Sequence, residues 1–222
     1  MIKLQSIKKT YGERTVLDIE NLTFSKGETV AIVGPNGSGK STLLKIIADT
    51  IKSDVGEIER KGKILYFPQQ SVPFRKSVRK NILFSMEKTE NKDKRCDEIL
   101  GQLGLTALAD KNAKGLSGGE AQRLALGRIL VNDCDFLLLD EPSSAADIEG
   151  TEIIENAIRS YKDKTGCGVI MTTHSPIQAL KLADRIIMLC DGKIVEDGKP
   201  EELLHNPKTE WGKKFIGMWV LG

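Results

Sequence analysis

Long apolar runs are missing from this 222-residue sequence, whose clearest ones are only the size of a strand, such as residues 136–139. A membrane-spanning helix needs roughly 18 consecutive apolar residues, so the sequence predicts no transmembrane segment. The sequence begins MIKLQSIKK, in which apolar and polar residues alternate without the apolar core of a secretory signal. We therefore expect no export.

An excess of one charge sign is also missing, because 33 lysines and arginines face 31 aspartates and glutamates, for a net charge of +2. Proteins that coat DNA or RNA usually carry a basic excess, so we expect no nucleic acid partner. Aromatic residues are scarce at 5%, but 40% of residues are hydrophobic and 29% are charged. This balance excludes disordered and collagen-like chains and favours a globular one.

Paired cysteines are the third absence. The four cysteines lie far apart in the sequence and form no C-x-x-C pair. They therefore indicate neither a zinc site nor a disulfide framework, and a reduced, cytoplasmic protein is the expectation. These cysteines are Cys96, Cys134, Cys167 and Cys190.

The pattern of apolar residues predicts an α/β fold. Strands are predicted at residues 2–7 and 16–24, and the turn between them makes an antiparallel hairpin. Residues 29–33 form a short apolar strand, which a glycine-rich loop connects to a helical pattern. Past residue 115, helical and strand patterns alternate, as in βαβ units around a mostly parallel sheet.

The spacing of the apolar residues changes after about residue 70 and predicts a helical insert. From about 71 to 115 the sequence has no strand-like run, and its apolar residues are spaced as in helices. We predict a single domain over residues 1–222, with its core at about 1–70 and 116–222 and a small helical subdomain at about 71–115. Near the end, Asp191-Gly192 predicts the turn of a closing hairpin.

A phosphate-binding loop follows the predicted strand at residues 29–33. The segment fits G-x-x-x-x-G-K-[ST] and lies between a strand and a helix, as that motif requires. Its glycines let backbone N–H groups point at phosphate oxygens, and the helix N-terminus adds to the attraction. Lys40 would reach the β and γ phosphates, and Ser41 would bind Mg²⁺. The segment consists of Gly34, Pro35, Asn36, Gly37, Ser38, Gly39, Lys40, Ser41 and Thr42.

Two acidic residues end the apolar run at residues 136–139. Asp140 and Glu141 would emerge at the carboxyl edge of the sheet, where the phosphate loop also lies. There Asp140 can hold Mg²⁺ through water, and Glu141 can polarise an attacking water as a general base. Acids that merely end a strand are the alternative, which the nearby phosphate loop disfavours.

A glycine pair stands at the start of a predicted helix over residues 120–130. Ser117, Gly118, Gly119 and Glu120 form a Ser-x-x-Glu pattern, which is typical of a capping box. Two glycines in a first turn are intrinsically poor choices for a helix, which favours close approach of a ligand to the backbone. A second anion site and a helix cap are both compatible with this segment.

The phosphate loop, LSGGE and LLLDEP, in this order, resemble the nucleotide-binding subunit of an ABC transporter. The resemblance covers nearly the whole chain, implies a P-loop NTPase core, and makes residues 1–222 one ABC ATPase domain. It also implies that two subunits sandwich two ATP molecules, each between the phosphate loop of one subunit and the LSGGE signature of the other. A second copy of this chain, or a similar ATPase subunit, is the implied partner.

The resemblance extends to three further residues. Tyr11 resembles the aromatic residue that stacks on adenine, although a turn tyrosine packed on the hairpin is the alternative. Gln69 resembles the glutamine that contacts Mg²⁺ and the attacking water, with Gln70 beside it as a second possible register. His174 resembles the histidine that contacts the γ phosphate. With Glu141 and Lys40, Gln69 and His174 complete the implied catalytic set.

The function implied by the resemblance is ATP hydrolysis that powers transport. The implied partners are transmembrane subunits, which would place the chain on the inner face of the cell membrane, and an importer adds an extracytoplasmic solute-binding protein. The short, stand-alone form resembles bacterial importers of small polar solutes, with the tungstate, molybdate and related oxyanion branch as one candidate. A soluble or regulatory ABC-type ATPase that acts in assembly, repair or control of a membrane partner remains the alternative.

Overall fold

The computed structural model describes residues 1–87 and 91–220, which form strands, α-helices and two short 3-10 helices. The strands are β1 (Ile2–Tyr11), β2 (Arg14–Phe24), β3 (Thr29–Val33), β4 (Val55–Arg60), β5 (Ile64–Phe67), β6 (Phe136–Asp140), β7 (Gly168–Thr172), β8 (Arg185–Cys190) and β9 (Lys193–Gly198). The α-helices are α1 (Lys40–Ile47), α2 (Val78–Ser85), α3 (Lys92–Gln102), α4 (Gly118–Leu130), α5 (Ile148–Thr165), α6 (Pro176–Leu182), α7 (Pro200–His205) and α8 (Glu210–Val220).

The larger sheet has six strands in the order β5-β6-β7-β3-β8-β9. All neighbours are parallel except β8 and β9, which form an antiparallel hairpin through the turn at Asp191 and Gly192. The predicted mostly parallel sheet and its closing hairpin are therefore confirmed. Because β3, β6 and β7 are adjacent, the loops that follow them meet at one edge of the sheet.

A smaller antiparallel sheet has the order β2-β1-β4. In β1, Ile2, Leu4 and Ile7 are buried, and the opposing Leu22 and Phe24 of β2 are buried as well. One face of this sheet is therefore apolar and packs on the rest of the protein. This arrangement confirms the predicted N-terminal antiparallel sheet.

Two hydrophobic cores lie on opposite faces of the larger sheet. Phe136 and Leu138 belong to the core that also contains residues of the antiparallel sheet and of α1. Leu137 and Leu139 belong to the second core, with residues of α4, α5 and the insert. The alternation along β6 follows from the period of two in a strand. Because both faces of β6 are packed in this way, Asp140 at its end is held in place.

The segment at 71–115 contains α2, α3 and the short 3-10 helices Thr106–Leu108 and Ala113–Gly115. Its apolar side chains, such as Ile82 and Leu100, pack with Leu126 of α4. Strand-like pairing in the described part of this segment is limited to one isolated bridge, from Ser77 to Asn112. Residues 88–90 of the predicted insert lie outside the described residues.

Two predicted helix bounds were wrong. The helix predicted at residues 120–130 begins earlier, at Gly118, because Ser117 caps it. For the next helix along the chain, the apolar pattern predicts residues 148–161, but α5 extends to Thr165, where Gly166 closes it in a left-handed conformation. Within the described residues, no helix combines the length and apolar character that crossing a bilayer requires.

Candidate functional site

The loop at residues 34–39 connects buried β3 to α1. It curls so that the N–H of Ser38 donates to the carbonyl oxygen of Pro35 at 3.2 Å. The buried hydroxyl of Ser38 has no hydrogen-bond partner among the described residues. A buried donor without a partner costs free energy, so this hydroxyl fits a ligand that brings an acceptor, such as a phosphate oxygen.

The backbone of this loop depends on Gly34. It has a φ of +154°, and a Cβ atom there would lie 2.0 Å from the carbonyl oxygen of Leu189 in β8. Gly37 also has a positive φ, +76°, but a Cβ atom there would come no closer than 3.7 Å to a neighbour, the Arg14 guanidinium. The two glycines therefore differ in the space around them.

This difference predicts the outcome of two alanine substitutions. Gly34→Ala should lower the free energy of unfolding by about 3–5 kcal/mol, because it combines backbone strain with a steric clash. Gly37→Ala should lower it by only about 1–2 kcal/mol, the cost of the left-handed conformation alone. Urea denaturation of the two variants measures both values. Equal losses would contradict the close packing of Gly34 on β8.

Lys40 is the first residue of α1 and is 5% exposed. Its Nζ donates to the carbonyl oxygens of Gly34 at 2.8 Å and Pro35 at 3.0 Å. Burial lowers the pKa of Lys40, whereas the charges of Glu141 and Asp140 oppose that shift. The protein thus stabilises the ammonium group of Lys40 only in part. An anion bound in the loop can stabilise it further.

Asp140 ends β6 and is almost fully buried. Its Oδ1 accepts hydrogen bonds from Ser41 Oγ at 2.9 Å and Thr172 Oγ1 at 2.7 Å, and its Oδ2 accepts one from the Tyr66 hydroxyl at 3.3 Å. Burial, and next the charge of Asp140, raises the pKa of Tyr66, so its hydroxyl stays protonated and donates. The carboxylate is therefore fixed beside Ser41.

Glu141 follows directly in a left-handed conformation, with a φ of +52°. Its Oε2 accepts a hydrogen bond from Gln69 Nε2 at 2.9 Å, and its Oε1 lies 2.5 Å from His174 Nε2. A positive φ is rare for a residue with a side chain and often marks a functional position. The structure places Glu141, Gln69 and His174 together, three of the residues that the sequence nominates for catalysis.

Two polar cavities share Glu141 in their walls. The first, of about 210 Å³, is lined by the phosphate loop together with Gln69. The second, of about 250 Å³, is lined by His174 and by polar residues that include Ser143 and Gln178. Glu141 therefore separates the space over the phosphate loop from a polar space behind it. Gln69 lines the first cavity, whereas its neighbour Gln70 is not among the described lining residues.

The segment Ser117, Gly118, Gly119 and Glu120 forms a complete capping box at the start of α4. Glu120 N donates to Ser117 Oγ at 3.3 Å, and Ser117 N donates to Glu120 Oε2 at 2.8 Å, a backbone hydrogen bond that lowers the pKa of Glu120. None of these residues is among the described residues that line the phosphate-loop cavity. This chain alone therefore does not bring the segment to its own phosphate loop.

Tyr11 lies at the end of β1 and is 53% exposed. The Lys9 ammonium lies 5.4 Å from the centroid of its ring. Across the turn, Arg14 Nη2 donates to the carbonyl oxygen of Gly37 at 3.2 Å. Arg14 thereby ties the hairpin that carries Tyr11 to the phosphate loop, while Tyr11 itself stays exposed at the end of β1.

Four residues of the site were given no role from the sequence: Tyr66, Thr172, Arg14 and Gln122, whose Nε2 donates to the carbonyl oxygen of Glu141 at 3.2 Å. Each acts through a contact between segments distant in the chain, which no local motif encodes. The position of Thr172 at the end of a buried strand next to β6 was the one available signal, because parallel strand ends meet at one edge.

Two side-chain oxygens suited to Mg²⁺ lie beside the phosphate loop, on Ser41 and Asp140. Among the described residues, no group of three or more His, Cys, Asp or Glu side chains could hold a metal ion by itself. Mg²⁺ is commonly held by one or two protein oxygen ligands together with substrate phosphates. The paired oxygens of Ser41 and Asp140, beside a loop suited to phosphate, fit that mode of binding.

Comparisons with known proteins give one family. A family model described as ABC transporter matches residues 17–144. The spermidine/putrescine import ATP-binding protein PotA of Mannheimia succiniciproducens is 35% identical over 98% of this chain and 62% of its own length. The chain thus spans less than two thirds of that relative. The tungstate uptake system ATP-binding protein TupC of Peptoclostridium acidaminophilum is 38% identical over 88% of this chain and 97% of its own length.

A solved structure extends the match to the fold. The dimeric ATP-binding cassette MJ0796, in a post-hydrolysis state bound to ADP and Pi, superposes with a TM-score of 0.81 and is 31% identical. The match covers 90% of this chain and 99% of the cassette. The fold described above, with its six-stranded and three-stranded sheets, therefore agrees with that of the cassette.

Proposed function

Because this chain belongs to the ABC transporter family, we propose that it is the ATP-hydrolysing subunit of a transporter that imports a small polar solute into a bacterial cell. The observation that carries the proposal is the placement of Glu141 and Gln69 in the wall of the phosphate-loop cavity, with His174 Nε2 next to the Glu141 carboxylate. A phosphate cradle alone would serve binding, whereas a carboxylate next to it supplies a base for hydrolysis.

In the proposed reaction, the phosphate loop and Lys40 bind the phosphates of ATP, and Tyr11 stacks on the adenine. Ser41 and Asp140, with Gln69, would hold Mg²⁺, which supplies neutralisation of phosphate charge when it is bound. Glu141 accepts the proton of the attacking water, and His174 and Gln69 orient its carboxylate. Water attacks the γ phosphorus, the bond to the β-γ bridging oxygen breaks, and ADP and phosphate are the products.

The site also needs a partner. Ser117–Glu120 presents N–H groups at the start of α4, but away from the phosphate loop of its own chain. We propose that a second copy of this chain, or a similar subunit, brings its own signature segment to the bound ATP. The dimeric cassette that superposes on this chain supports such an arrangement. ATP binding would close the dimer and hydrolysis would reopen it.

The proposal places the chain on the cytoplasmic face of the membrane, bound to transmembrane subunits. The names of PotA and TupC, an import protein and part of an uptake system, support import. TupC matches the chain over 97% of its own length, which favours an oxyanion as the solute. PotA handles polyamines, which carry the opposite charge, so the solute is chosen by other subunits and not by this ATPase.

A co-purification experiment tests the membrane assignment. Tagged Glu141→Gln protein, with ATP, is recovered from its native cells in mild detergent, and untagged protein serves as the control. We expect polytopic membrane proteins among the partners identified by mass spectrometry. A co-purifying solute-binding protein can then be titrated with tungstate and with spermidine. Recovery of soluble partners alone, with ATP binding verified, would contradict the transporter assignment and favour a soluble ABC-type ATPase.

A further inference from the structure

Two buried glutamines hold the turn at residues 141–145, which begins at the proposed general base. Gln122 lies on α4, the helix that starts with the signature segment, and is 8% exposed. Gln178 lies on α6, the helix that follows His174, and is 2% exposed. Burying a side-chain amide costs free energy unless it is hydrogen-bonded. The hydrogen bonds of these two side chains therefore show which parts of the turn they stabilise.

Gln122 bridges the two ends of this turn. Its Nε2 donates to the main-chain carbonyl oxygen of Glu141 at 3.2 Å and to Ser144 Oγ at 3.3 Å. Its Oε1 accepts the N–H of Ala145 at 2.8 Å. One side chain therefore bonds backbone groups at both ends of the turn and adds to the hydrogen bond within it, in which the N–H of Ser144 donates to the carbonyl oxygen of Glu141 at 3.2 Å.

The bond to the Glu141 carbonyl matters because Glu141 has an unfavourable backbone conformation, with a φ of +52°. On the other side of the residue, the N–H of Glu141 donates to Thr172 Oγ1 at 3.0 Å. Thr172 and Gln122 thus hold the two peptide groups that flank Glu141. Such a conformation persists only where the surroundings enforce it, and here it sets the direction of the carboxylate.

Gln178 holds the same turn from the opposite side. Its Nε2 donates to Ser143 Oγ at 2.9 Å and to Glu155 Oε1 at 3.3 Å. Glu155 is buried in turn and pairs with Lys181 at 2.6 Å. The turn is therefore fixed between the helix of the signature segment and the helix that follows His174.

We propose that Gln122 is a positioning residue for the reaction, which acts by holding the backbone of Glu141 in the conformation that aims its carboxylate. Gln178 supports the same turn through Ser143. This role rests on the proposed ATP hydrolysis. It also connects the signature helix to the general base within one subunit.

Gln122→Met tests this role, because methionine keeps the length of the side chain and loses every hydrogen bond to the turn. We expect kcat for ATP hydrolysis to fall about ten- to a hundredfold, since small misplacements of a catalytic group have effects of that order. KM for ATP should stay within about twofold, because the phosphate loop is untouched. Gln102→Met, at an exposed glutamine of α3, is the matched control and should keep wild-type kcat.

A double-mutant cycle separates positioning from a general structural role. If Gln122 acts through the carboxylate of Glu141, Gln122→Met should cause little further loss of kcat in the Glu141→Gln background. A loss by the same factor in both backgrounds would overturn the proposal, as would an unchanged kcat in Gln122→Met. A wild-type chain that binds ATP without hydrolysing it would instead overturn the proposed function, and this role with it.

A second variant covers the case in which Gln122→Met does not fold. Gln122→Glu keeps an acceptor for the N–H of Ala145, and at a pH where the new side chain is a carboxylate it has no donor for the carbonyl oxygen of Glu141. We expect kcat to fall about tenfold or more with KM retained. Wild-type kcat in a folded Gln122→Glu protein would show that the bond to Glu141 is dispensable and would overturn the proposal.

Discussion

Replacing Lys40 by methionine is expected to raise the dissociation constant for ATP about ten- to a hundredfold. Charge-assisted hydrogen bonds contribute about 1.5–3 kcal/mol, and Lys40 is the buried cation of the phosphate loop. Its Nζ donates to the carbonyl oxygens of Gly34 and Pro35, and Lys40 also lines the phosphate-loop cavity, so the ammonium group is held where a phosphate would bind. Titration calorimetry with Mg²⁺ and ATP measures the change.

The same variant should not unfold the protein. Burial lowers the pKa of Lys40, which means that the folded protein favours its ammonium form less than water does. Methionine removes that buried charge but also the two hydrogen bonds to Gly34 and Pro35, so the opposing effects should leave the melting temperature without nucleotide within about 5 °C of the wild-type value. Lys45→Met, at an exposed lysine of the same helix, is the matched control and should bind ATP normally. Unchanged ATP affinity in Lys40→Met would contradict the assigned role of the phosphate loop.

Site residues that are neighbours in the chain, such as Lys40 and the rest of the phosphate loop, could be predicted from the sequence. The phosphate loop, the acids after β6 and the capping box are local patterns, in which the residues that act together are neighbours in the chain. Their element types follow from periodicity, and parallel strand ends necessarily share an edge. The predicted meeting of residues 34–42 with Asp140 and Glu141 needed no more information than this.

Other parts of the site could not be predicted in this way. The left-handed conformation of Glu141 depends on Thr172 and Gln122, which approach it from a neighbouring strand and from α4. Arg14 reaches Gly37 only because the antiparallel sheet packs over the loop. These contacts are set by how whole elements pack. Their strength depends on distances of a few ångströms that no sequence pattern encodes.

The clustering of these unpredicted contacts around Glu141 has a physical reason. Regular elements satisfy their backbone groups internally, whereas a strained turn satisfies only some of its own, here through Ser144 N and the carbonyl oxygen of Glu141, and takes further partners from elsewhere in the chain. The turn at residues 141–145 does so through side chains from α4, α6 and β7. A general base held in this way is oriented before the substrate binds. Little reorganisation of the Glu141 backbone is then needed during the reaction.

Glu141→Gln is the substitution with the largest expected effect on turnover. A glutamine fits the same space, and its amide oxygen still accepts the hydrogen bond from Gln69 while its NH₂ group faces His174. It cannot take a proton from water, so kcat should fall about a hundred- to ten-thousand-fold, the usual contribution of a general base. ATP affinity should be retained, because the phosphate loop and Lys40 are unchanged. Phosphate release under single-turnover conditions measures the loss.

The dimer provides an independent readout of the same variant. If hydrolysis reopens the two subunits, Glu141→Gln with ATP should elute as a stable dimer in gel filtration, whereas wild-type protein should return to monomer as ATP is consumed. Glu152→Gln, at an exposed glutamate of α5, is the matched control and should behave as wild type in both measurements. Rapid hydrolysis by Glu141→Gln would remove Glu141 from its role as the base. A loss of hydrolysis without a stable dimer would keep that role and contradict ATP-driven closure.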